Sequence, residues 1–324
     1  MPKRQGAPIK LLLVGGAGFI GAEITARLLK RGHAVRVLDR NIKRFPSRQI
    51  LKSKNDEFEV ICGNYANCKM LEKALSGVDV VIHLASSTVP QSSNLDSISD
   101  VKGNVIASLR LLQACRERGV KKIVFTSSGG TVYGISQTIP MSEDNPTNPI
   151  SSYGITKLMI EKYLQLFYHL YGLDYSILRC ANAYGPGQNF ISGQGAVGIF
   201  MRRMIMGESI IIWGDGSIVR DYVYVDDLAE AHILAANSKR HATIVNIGSG
   251  IGTSLNNLVH TIAKAINVIP VVEYSEARKF DVPNNILKID RAKQVFNWAP
   301  KIDLETGVEL TWKALSEEMR GRNS

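Results

Sequence analysis

The sequence predicts an α/β protein with a doubly wound parallel sheet and a smaller, interleaved C-terminal lobe. Short apolar runs alternate along the chain with segments in which apolar residues recur at helical spacing. The runs are apolar on both faces, as is typical of parallel strands that helices cover on both sides. After Asn182 this alternation stops and glycines accumulate, which indicates a second, loop-rich lobe.

The elements follow from this pattern in order. The predicted strands span residues 9–14, 34–38, 57–62, 78–84, 122–126, 175–179 and 243–247, and the predicted helices span 19–29, 68–75, 97–118 and 152–171. Because the last strand returns to the sheet, we expect the two lobes to interleave. The first lobe is predicted at 8–181 with about 220–250, and the second at 182–219 with 251–315.

Composition narrows the class of protein. The chain has 324 residues, of which 45% are apolar and 21% charged, and no apolar run is long enough to cross a bilayer. Residues 1–8 carry no signal core, so we expect a cytoplasmic protein. The four cysteines lack ligand spacing, which predicts reduced thiols and no metal site. The net charge of +10 is scattered, which favours anionic small substrates over nucleic acid.

A glycine turn joins the first strand to the first helix. Gly15, Gly18 and Gly21 have the spacing that lets backbone amides and a helix N-terminus approach a pyrophosphate, although a glycine turn without ligand is the alternative. Asp39 ends the second strand, where a carboxylate accepts hydrogen bonds from ribose hydroxyls and repels a 2′-phosphate. The pattern predicts NAD as cofactor, while Arg40 keeps NADP open.

Tyr153 and Lys157 lie four residues apart at the start of a predicted helix, so they share one face of it. An ammonium near a phenol favours the phenolate, because the phenol's ordinary pKa of ~10 is lowered by the positive charge. Tyr153 can then take a hydroxyl proton while a hydride leaves the same carbon. The alternative is that Tyr153 and Lys157 are an ordinary surface pair. A complete dinucleotide-binding half precedes them in the chain, which favours the catalytic role.

The predicted strand at residues 122–126 ends in a run of hydroxyl side chains. These are Thr126, Ser127 and Ser128, and they precede a Gly129-Gly130 turn. This is the carboxyl edge of the sheet, where such folds bind ligands. Ser128 is the first candidate and Ser127 the second for orienting a substrate hydroxyl and relaying its proton. The alternative for each is a hydroxyl that caps the turn.

Six motifs together resemble the extended short-chain dehydrogenase/reductases, and within them the UDP-glucose 4-epimerase-like branch of the NAD-dependent epimerase/dehydratase family. They cover most of the chain: GGAGFIG from Gly15, HLAS from His83, SSGGTVYG from Ser127, YGITK from Tyr153, LRCANAYGPGQ from Leu178 and RDYVYVDD from Arg220.

The resemblance implies roles position by position. It makes Tyr153 the proton acceptor, Lys157 its partner and a nicotinamide-ribose ligand, and Ser127 or Ser128 the helper hydroxyl. The implied cofactor contacts are Phe19 and Ile20 at the pyrophosphate turn, Asn64 and Tyr65 at adenine, Leu84, Ala85, Ser86 and Thr88 beside the nicotinamide, and Asn104 in a structural or cofactor contact.

The resemblance also implies a nucleotide-sugar site in the second lobe. Asn182 resembles a phosphate or sugar ligand, Arg220 and Arg278 resemble the arginines that clamp the UDP diphosphate, and Asp281 lies near the uridine ribose position. Bidentate guanidinium contacts suit a diphosphate. Asn285 falls where the family's size-selecting residue lies, so N-acetylated sugars are included.

The implied reaction is oxidation at C4, rotation of the 4-keto sugar and return of the hydride to its other face. Gly130 and Thr131 stand where dehydratases and decarboxylases of the family carry carboxylates, which argues against both reactions. The alternatives are a reductase of a nucleotide-linked keto sugar and, from another class, a non-catalytic NAD-sensing or RNA-binding module. The helices at 97–118 and 152–171 resemble the family's four-helix dimer contact, which implies a homodimer.

Overall fold

The computed structural model describes residues 9–42, 45, 57–188, 195–278 and 281–322. The N-terminal segment 1–8, for which no signal core is predicted, lies outside the described residues. The described chain divides into two compact units. The first comprises 1–128, 151–179 and 229–245, and the second comprises 129–150, 180–228 and 246–324.

A seven-stranded sheet forms the core of the first unit, in the order β10-β6-β5-β4-β1-β2-β3. Its strands are β1 (Lys10–Val14), β2 (Ala34–Asp39), β3 (Phe58–Cys62), β4 (Val80–His83), β5 (Lys122–Ser128), β6 (Asp174–Cys180) and β10 (Thr243–Ile247). The parallel pairing of β1 with both β2 and β4 places the switch in strand order at the carboxyl end of β1. The doubly wound α/β fold predicted from the sequence is confirmed.

Helices flank the sheet, and each of the longer ones presents one apolar stripe to it. They are α1 (Phe19–Lys30), α2 (Cys68–Leu75), the short α3 (Pro90–Ser93) and α4 (Ser97–Asp100), α5 (Ala107–Glu117), α6 (Ser152–Tyr171) and α8 (Val225–Asn237). The predicted helix at 97–118 is observed as α4, a π-helical turn (Val101–Ile106) and α5 in succession. Leu12, Val81 and Phe125 are among the fully buried residues of this core.

The second unit has its own core, in which Tyr184, Ile210 and Leu258 are buried. Its strands are β7 (Asn182–Tyr184), β8 (Ile210–Trp213), β9 (Val219–Tyr224), β11 (Gly252–Ser254), β12 (Val272–Ser275) and β13 (Asn284–Asn285). Its helices are α7 (Ala196–Ile205), α9 (Leu255–Ile266), α10 (Asp290–Phe296) and α11 (Leu304–Arg322). Strand β9 pairs with β7, β11 and β13 and is the central strand of this four-stranded sheet, whereas β8 and β12 form a separate pair.

The boundaries of the units differ from the predicted lobes. Segments 129–150, 180–181, 220–228 and 246–250 were expected in the first lobe, whereas they belong to the second unit. The reason is long-range pairing: Met141 bridges to Leu287, and the Asn246 side-chain amide donates to the Met141 carbonyl at 2.9 Å. Within the described residues, no helix combines the length and apolar composition that a membrane crossing requires.

Candidate active site

The turn between β1 and α1 uses its glycines in three ways. Gly15 has φ +84°, and a Cβ there would lie 2.7 Å from the Ala85 Cα. A Cβ at Gly21 would lie 2.6 Å from the Cα of Gly16. Gly18 caps α1 without a side-chain hydrogen bond, and a Cβ there would meet only the Gly15 carbonyl oxygen, at 3.4 Å. The backbone amides at this helix N-terminus can therefore receive a pyrophosphate. Phe19 and Ile20, the first helical residues, are half-buried.

Asp39 ends β2 in the same unit as this turn. Its Oδ2 accepts a hydrogen bond from the Ala17 amide at 3.1 Å, and its Oδ1 accepts one from the Asn41 amide at 3.0 Å. Both oxygens are thereby oriented by backbone, and a carboxylate has further lone pairs for ribose hydroxyls. Arg40 is exposed.

Asn64 and Tyr65 follow β3 and differ in accessibility. Asn64 is exposed, and its Oδ1 accepts the Ala66 amide at 3.0 Å. Tyr65 is buried, and its hydroxyl donates to the Gly103 carbonyl at 3.0 Å. Burial raises the pKa of Tyr65 to about 12. Asn64 can meet a ligand through its side chain, whereas the Tyr65 phenol is committed to the protein.

The loop after β4 holds four predicted cofactor contacts. The amides of Leu84 and Ala85 both donate to the Val14 carbonyl at 2.9 Å, which fixes the loop against the end of β1. Ser86 is exposed and its hydroxyl donates to the Thr88 carbonyl at 3.0 Å. The loop therefore presents residues 84–86 at the same sheet edge as the glycine turn.

Asn104 lies in the π-helical turn and is buried. Its Oδ1 accepts the Ser87 amide at 2.8 Å, and its Nδ2 donates to Asp100 Oδ1 at 2.6 Å and to Thr88 Oγ1 at 3.0 Å. All these hydrogen bonds are to groups of the protein. They favour a structural role for Asn104 over a contact with the cofactor.

Tyr153 and Lys157 occupy the first two turns of α6, which begins at the N-cap Ser151. Lys157 is buried, and its ammonium donates to the Thr126 carbonyl at 2.9 Å. The same Nζ lies 5.5 Å from the Tyr153 ring centroid and 4.9 Å from that of Phe125. Four-residue helical spacing thus brings the phenol and the ammonium together at the end of β5, where a positive charge favours the phenolate.

The two candidate serines at the end of β5 have different surroundings. Ser127 is buried, and its hydroxyl donates to Glu161 Oε1 at 2.5 Å. Glu161 is itself paired with Arg179, with an Nη2 to Oε2 distance of 2.7 Å. Ser128 is half-buried, and within the described chain its hydroxyl has no hydrogen-bond partner. Alternation along the strand points neighbouring side chains to opposite faces, so Ser128 is the more available hydroxyl.

A buried imidazole, that of His83, lies near Lys157. His83 ends β4, its Nε2 lies 2.8 Å from the Ser108 hydroxyl, and its ring contacts Phe125 with centroids 5.4 Å apart. Burial, followed by the nearby charge of Lys157, lowers the pKa of His83 to about 3. His83 is therefore neutral at physiological pH.

The second unit gathers two arginines and an aspartate. Arg278 pairs with Asp281 through Nε to Oδ2 at 2.9 Å and Nη2 to Oδ1 at 3.1 Å. Arg220 Nη1 donates to the Val282 carbonyl at 2.6 Å. Burial lowers the pKa of Arg220, the charge of Asp281 opposes this shift, and the charge of Arg278 adds to it. The predicted anion-binding residues are thus close enough to interact.

The two asparagines of the predicted sugar site differ. Asn182 is exposed on β7, and its Nδ2 donates to the Asp221 carbonyl at 3.0 Å. Asn285 is buried beside Arg220 in register, and its Nδ2 donates to the Gly129 carbonyl at 3.0 Å. Its Oδ1 has no partner among the described residues. This amide oxygen can accept a hydrogen bond.

Sequence reasoning missed four residues of these sites. Glu161 is one helical turn beyond Lys157, and that spacing was the available signal. Gly16 packs against Gly21. Trp213 is exposed at the end of β8 with the Arg278 guanidinium 5.5 Å from its ring. Asp221 is buried and accepts the amides of residues 249, 250 and 287, which nothing in the local sequence indicated. The described residues contain no group of three His, Cys, Asp or Glu side chains that could hold a metal ion.

Comparisons with known proteins agree with this arrangement. The family model of the NAD dependent epimerase/dehydratase family matches residues 11–248. A UDP-glucose 4-epimerase of Mycolicibacterium smegmatis is 36% identical over 310 residues, which cover 94% of this chain and 97% of that protein.

Two solved structures share the fold. The UDP-glucose 4-epimerase of Thermotoga maritima with UDP-glucose has a TM-score of 0.88 at 37% identity and covers 96% of this chain and 100% of that one. The UDP-glucose 4-epimerase of Thermus thermophilus in complex with NAD has a TM-score of 0.86 at 32% identity, with 95% and 99% covered. With the family model covering most of its length, this chain belongs to the NAD dependent epimerase/dehydratase family.

Proposed function

We propose that this chain is an NAD-dependent UDP-sugar 4-epimerase. Its substrate pair would be UDP-glucose and UDP-galactose, or an N-acetylated or uronic acid analogue. The observation that carries the proposal is the placement of Tyr153 and Lys157 against the end of β5, beside the available hydroxyl of Ser128. The similarity to epimerases over nearly the whole chain supports it.

The first unit would bind the cofactor. The uncapped N-terminus of α1 suits the pyrophosphate, the oriented Asp39 carboxylate suits the adenosine ribose, and the loop at 84–88 suits the nicotinamide side. The tight approach of Gly15 to Ala85 leaves no room for a side chain, as a backbone cradle requires. Bound NAD supplies the reversible acceptance of a hydride from C4 of the sugar.

The protein's own groups would handle the proton. Tyr153 as phenolate takes the proton of the C4 hydroxyl, and it returns that proton to the 4-keto oxygen after the sugar has rotated. Lys157 stabilises the phenolate through its positive charge, and the Thr126 carbonyl holds its ammonium in place. Ser128 orients the C4 oxygen, whereas Ser127 supports the strand through Glu161.

The second unit would bind the nucleotide. Arg220 and Arg278 suit the diphosphate because guanidinium groups bind phosphate oxygens in a bidentate manner. Asp281 orients Arg278 and has spare acceptor capacity for a ribose hydroxyl. The exposed Trp213 offers its ring to the uracil base. Asn182 and Asn285 would contact the phosphate or the sugar.

The test is an epimerisation assay without added cofactor. Purified protein is incubated with UDP-glucose, UDP-N-acetylglucosamine and UDP-glucuronate in turn, and the products are separated by ion-pair chromatography. We expect at least one substrate to equilibrate with its C4 epimer, because the hydride returns to the same sugar. Failure with all three would reject the proposal.

A matched pair of variants separates catalysis from folding. Tyr153→Phe removes the proposed acid/base hydroxyl, and Tyr163→Phe removes a hydroxyl from the same helix. We expect only the first to lose activity, by about 10²-fold or more. Equal behaviour of Tyr153→Phe and the parent would favour the non-catalytic alternative. Stoichiometric consumption of NADH or NADPH would favour the keto-sugar reductase.

A homodimer is part of the proposal. The exposed side of α6 carries apolar side chains at Ile155, Leu166, Leu170 and Tyr171, and such a patch is characteristic of an interface. We expect light scattering to give twice the chain mass for the parent, and Leu170→Glu to give a monomer. The control Ile269→Glu, at a site 94% exposed in the second unit, should remain dimeric. A monomeric parent would exclude the dimer.

We also propose a cytoplasmic location. The thiols of Cys62, Cys68 and Cys115 form no disulfide bond, as is typical of a reducing compartment. Cell fractionation should find the protein with cytosolic markers, and recovery with secreted proteins would contradict the assignment.

A further inference from the structure

A buried carboxylate outside the assigned site joins several elements of the first unit. Asp100, the last residue of α4, is 0% exposed. Its Oδ1 accepts hydrogen bonds from Thr88 Oγ1 at 2.5 Å and Asn104 Nδ2 at 2.6 Å. Its Oδ2 accepts one from Ser152 Oγ at 2.7 Å and a longer one from Thr156 Oγ1 at 3.4 Å. In the described part of the chain it makes no ion pair.

A carboxylate buried without a cation depends on its hydrogen bonds for solvation, because desolvation otherwise penalises the charge. Here the donors are four neutral side chains, which together solvate the buried carboxylate. The same attraction works in reverse and holds the donors to Asp100. The group therefore fixes the relative positions of the segments that supply it.

Two of these donors bracket the proposed acid/base residue. Ser152 precedes Tyr153, and Thr156 precedes Lys157, so both lie at the start of α6. The Thr156 hydroxyl is also 3.0 Å from the Tyr153 carbonyl oxygen. Asp100 thus contacts the helix on both sides of Tyr153 in sequence.

Residues of α3 and the residue after it also bind two amides in the first turn of α6. The Tyr153 amide donates to Ser93 Oγ at 3.1 Å, and the Ser152 amide donates to Asn94 Oδ1 at 2.9 Å. First-turn amides have no partner within their own helix, so these bonds fix where α6 begins.

The other two donors, Thr88 and Asn104, fix the loop beside the proposed nicotinamide site. Thr88 lies in that loop, and Asn104 also holds it through the Ser87 amide at 2.8 Å. The π-helical turn that follows Asp100 carries Asn104, so the carboxylate and the amide meet. One side chain therefore connects the loop that would face the cofactor with the helix that carries the acid/base pair.

We propose that Asp100 is a positioning residue that sets the placement of Tyr153 relative to the 84–88 loop. The expected effect on kcat rests on the proposed function, whereas the effect on the position of Tyr153 rests on the hydrogen bonds of Asp100. It acts through Ser152 and Thr156 and contacts no substrate. A displacement of about 1 Å at reacting groups costs on the order of 10²-fold in rate, so loss of Asp100 should lower kcat.

Three variants test it with steady-state kinetics. Asp100→Ala should lower kcat by about 10- to 100-fold, while KM for the UDP-sugar stays within about threefold. Asp100→Asn should recover kcat to within about threefold of the parent, because its amide can donate to the Ser152 and Thr156 hydroxyls, which also accept. Asp96→Asn, which changes a carboxylate one turn earlier that caps α4, is the control and should match the parent.

The link to the helix is tested by a double-mutant cycle. Ser152→Ala removes only one of the hydrogen bonds to Asp100. It is therefore the variant to use if Asp100→Ala does not fold. Because both changes break the same contact, the double variant should cost clearly less in kcat than the product of the single effects. Independent, multiplicative effects would overturn the proposal, as would a KM effect in Asp100→Ala without a loss of kcat.

Hydrogen exchange gives a readout that does not depend on activity. Amides 152–157 should exchange faster in Asp100→Ala, or in Ser152→Ala, than in the parent, and Asp96→Asn should leave them unchanged. Unchanged exchange in both test variants would reject the positioning role. If the parent itself epimerises no UDP-sugar, the proposed function fails, and the exchange comparison still decides the role of Asp100 independently.

Discussion

Removal of the Ser128 hydroxyl is expected to slow the reaction, whereas removal of the Ser127 hydroxyl is expected to weaken the fold. The two serines are neighbours at the end of β5, and their chemistry is identical. Their environments differ, because Ser127 donates to the buried Glu161 carboxylate and Ser128 is half-buried without a described partner. The substitutions Ser127→Ala and Ser128→Ala therefore separate two roles.

The expected sizes follow from these contacts. A hydrogen bond to a charged group contributes ~1.5–3 kcal/mol. Arg179 remains on Glu161 after Ser127→Ala, so the carboxylate keeps a partner and the loss should fall at the lower end, about 2 kcal/mol. For a domain of this size that loss corresponds to a fall in Tm of about 4–8 °C. Ser128→Ala should change stability by less than about 0.5 kcal/mol and lower kcat by ~10²-fold or more.

The assay measures kcat for the UDP-sugar that the parent epimerises, together with Tm for the same preparations. Bound nucleotide per chain is determined in parallel, so that activity is referred to loaded protein. The reasoning would be refuted if Ser127→Ala lost activity at unchanged Tm while Ser128→Ala behaved as the parent.

Three further outcomes are expected. Gly15→Ala should reduce the copurifying NAD, because its methyl group would lie 2.7 Å from backbone, whereas Gly32→Ala has a similar positive φ with open space and should retain NAD; equal NAD in both would contradict this. Trp213→Ala should raise KM for the UDP-sugar about 10-fold at nearly constant kcat, through loss of the ring beside Arg278, and an unchanged KM would exclude base stacking. Burial lowers the pKa of His83 from 6.5 to about 3, so the unfolded chain binds a proton that the folded chain does not between these values. Stability should therefore fall as pH falls through this window, by up to ~1.4 kcal/mol per pH unit, and urea unfolding of His83→Gln should show a flatter slope there.

Periodicity predicted the fold because it is a local property that burial imposes on each element. The strand predicted at 243–247 is observed as β10, and the helix at 152–171 is observed as α6. The strand at 122–126 runs two residues further, to Ser128, since polar residues at a strand end carry no apolar signal. The lobe boundaries could not be predicted from local patterns, because the segment 129–150 is held in the second unit by pairing with residues more than 100 positions away.

The sequence by itself determined which residue types stand at which spacing. It placed Gly15 before a helix, Asp39 at a strand end and Tyr153 four residues before Lys157, because these relations lie within one turn or one element. Only the tertiary structure decided the role of each of these polar residues. It committed the Ser127 hydroxyl to Glu161, left that of Ser128 available, and buried Asp100 among donors from distant segments. The physical reason is that a polar group's role depends on which partners its burial brings within hydrogen-bond reach, and those partners come from parts of the chain that local patterns do not connect.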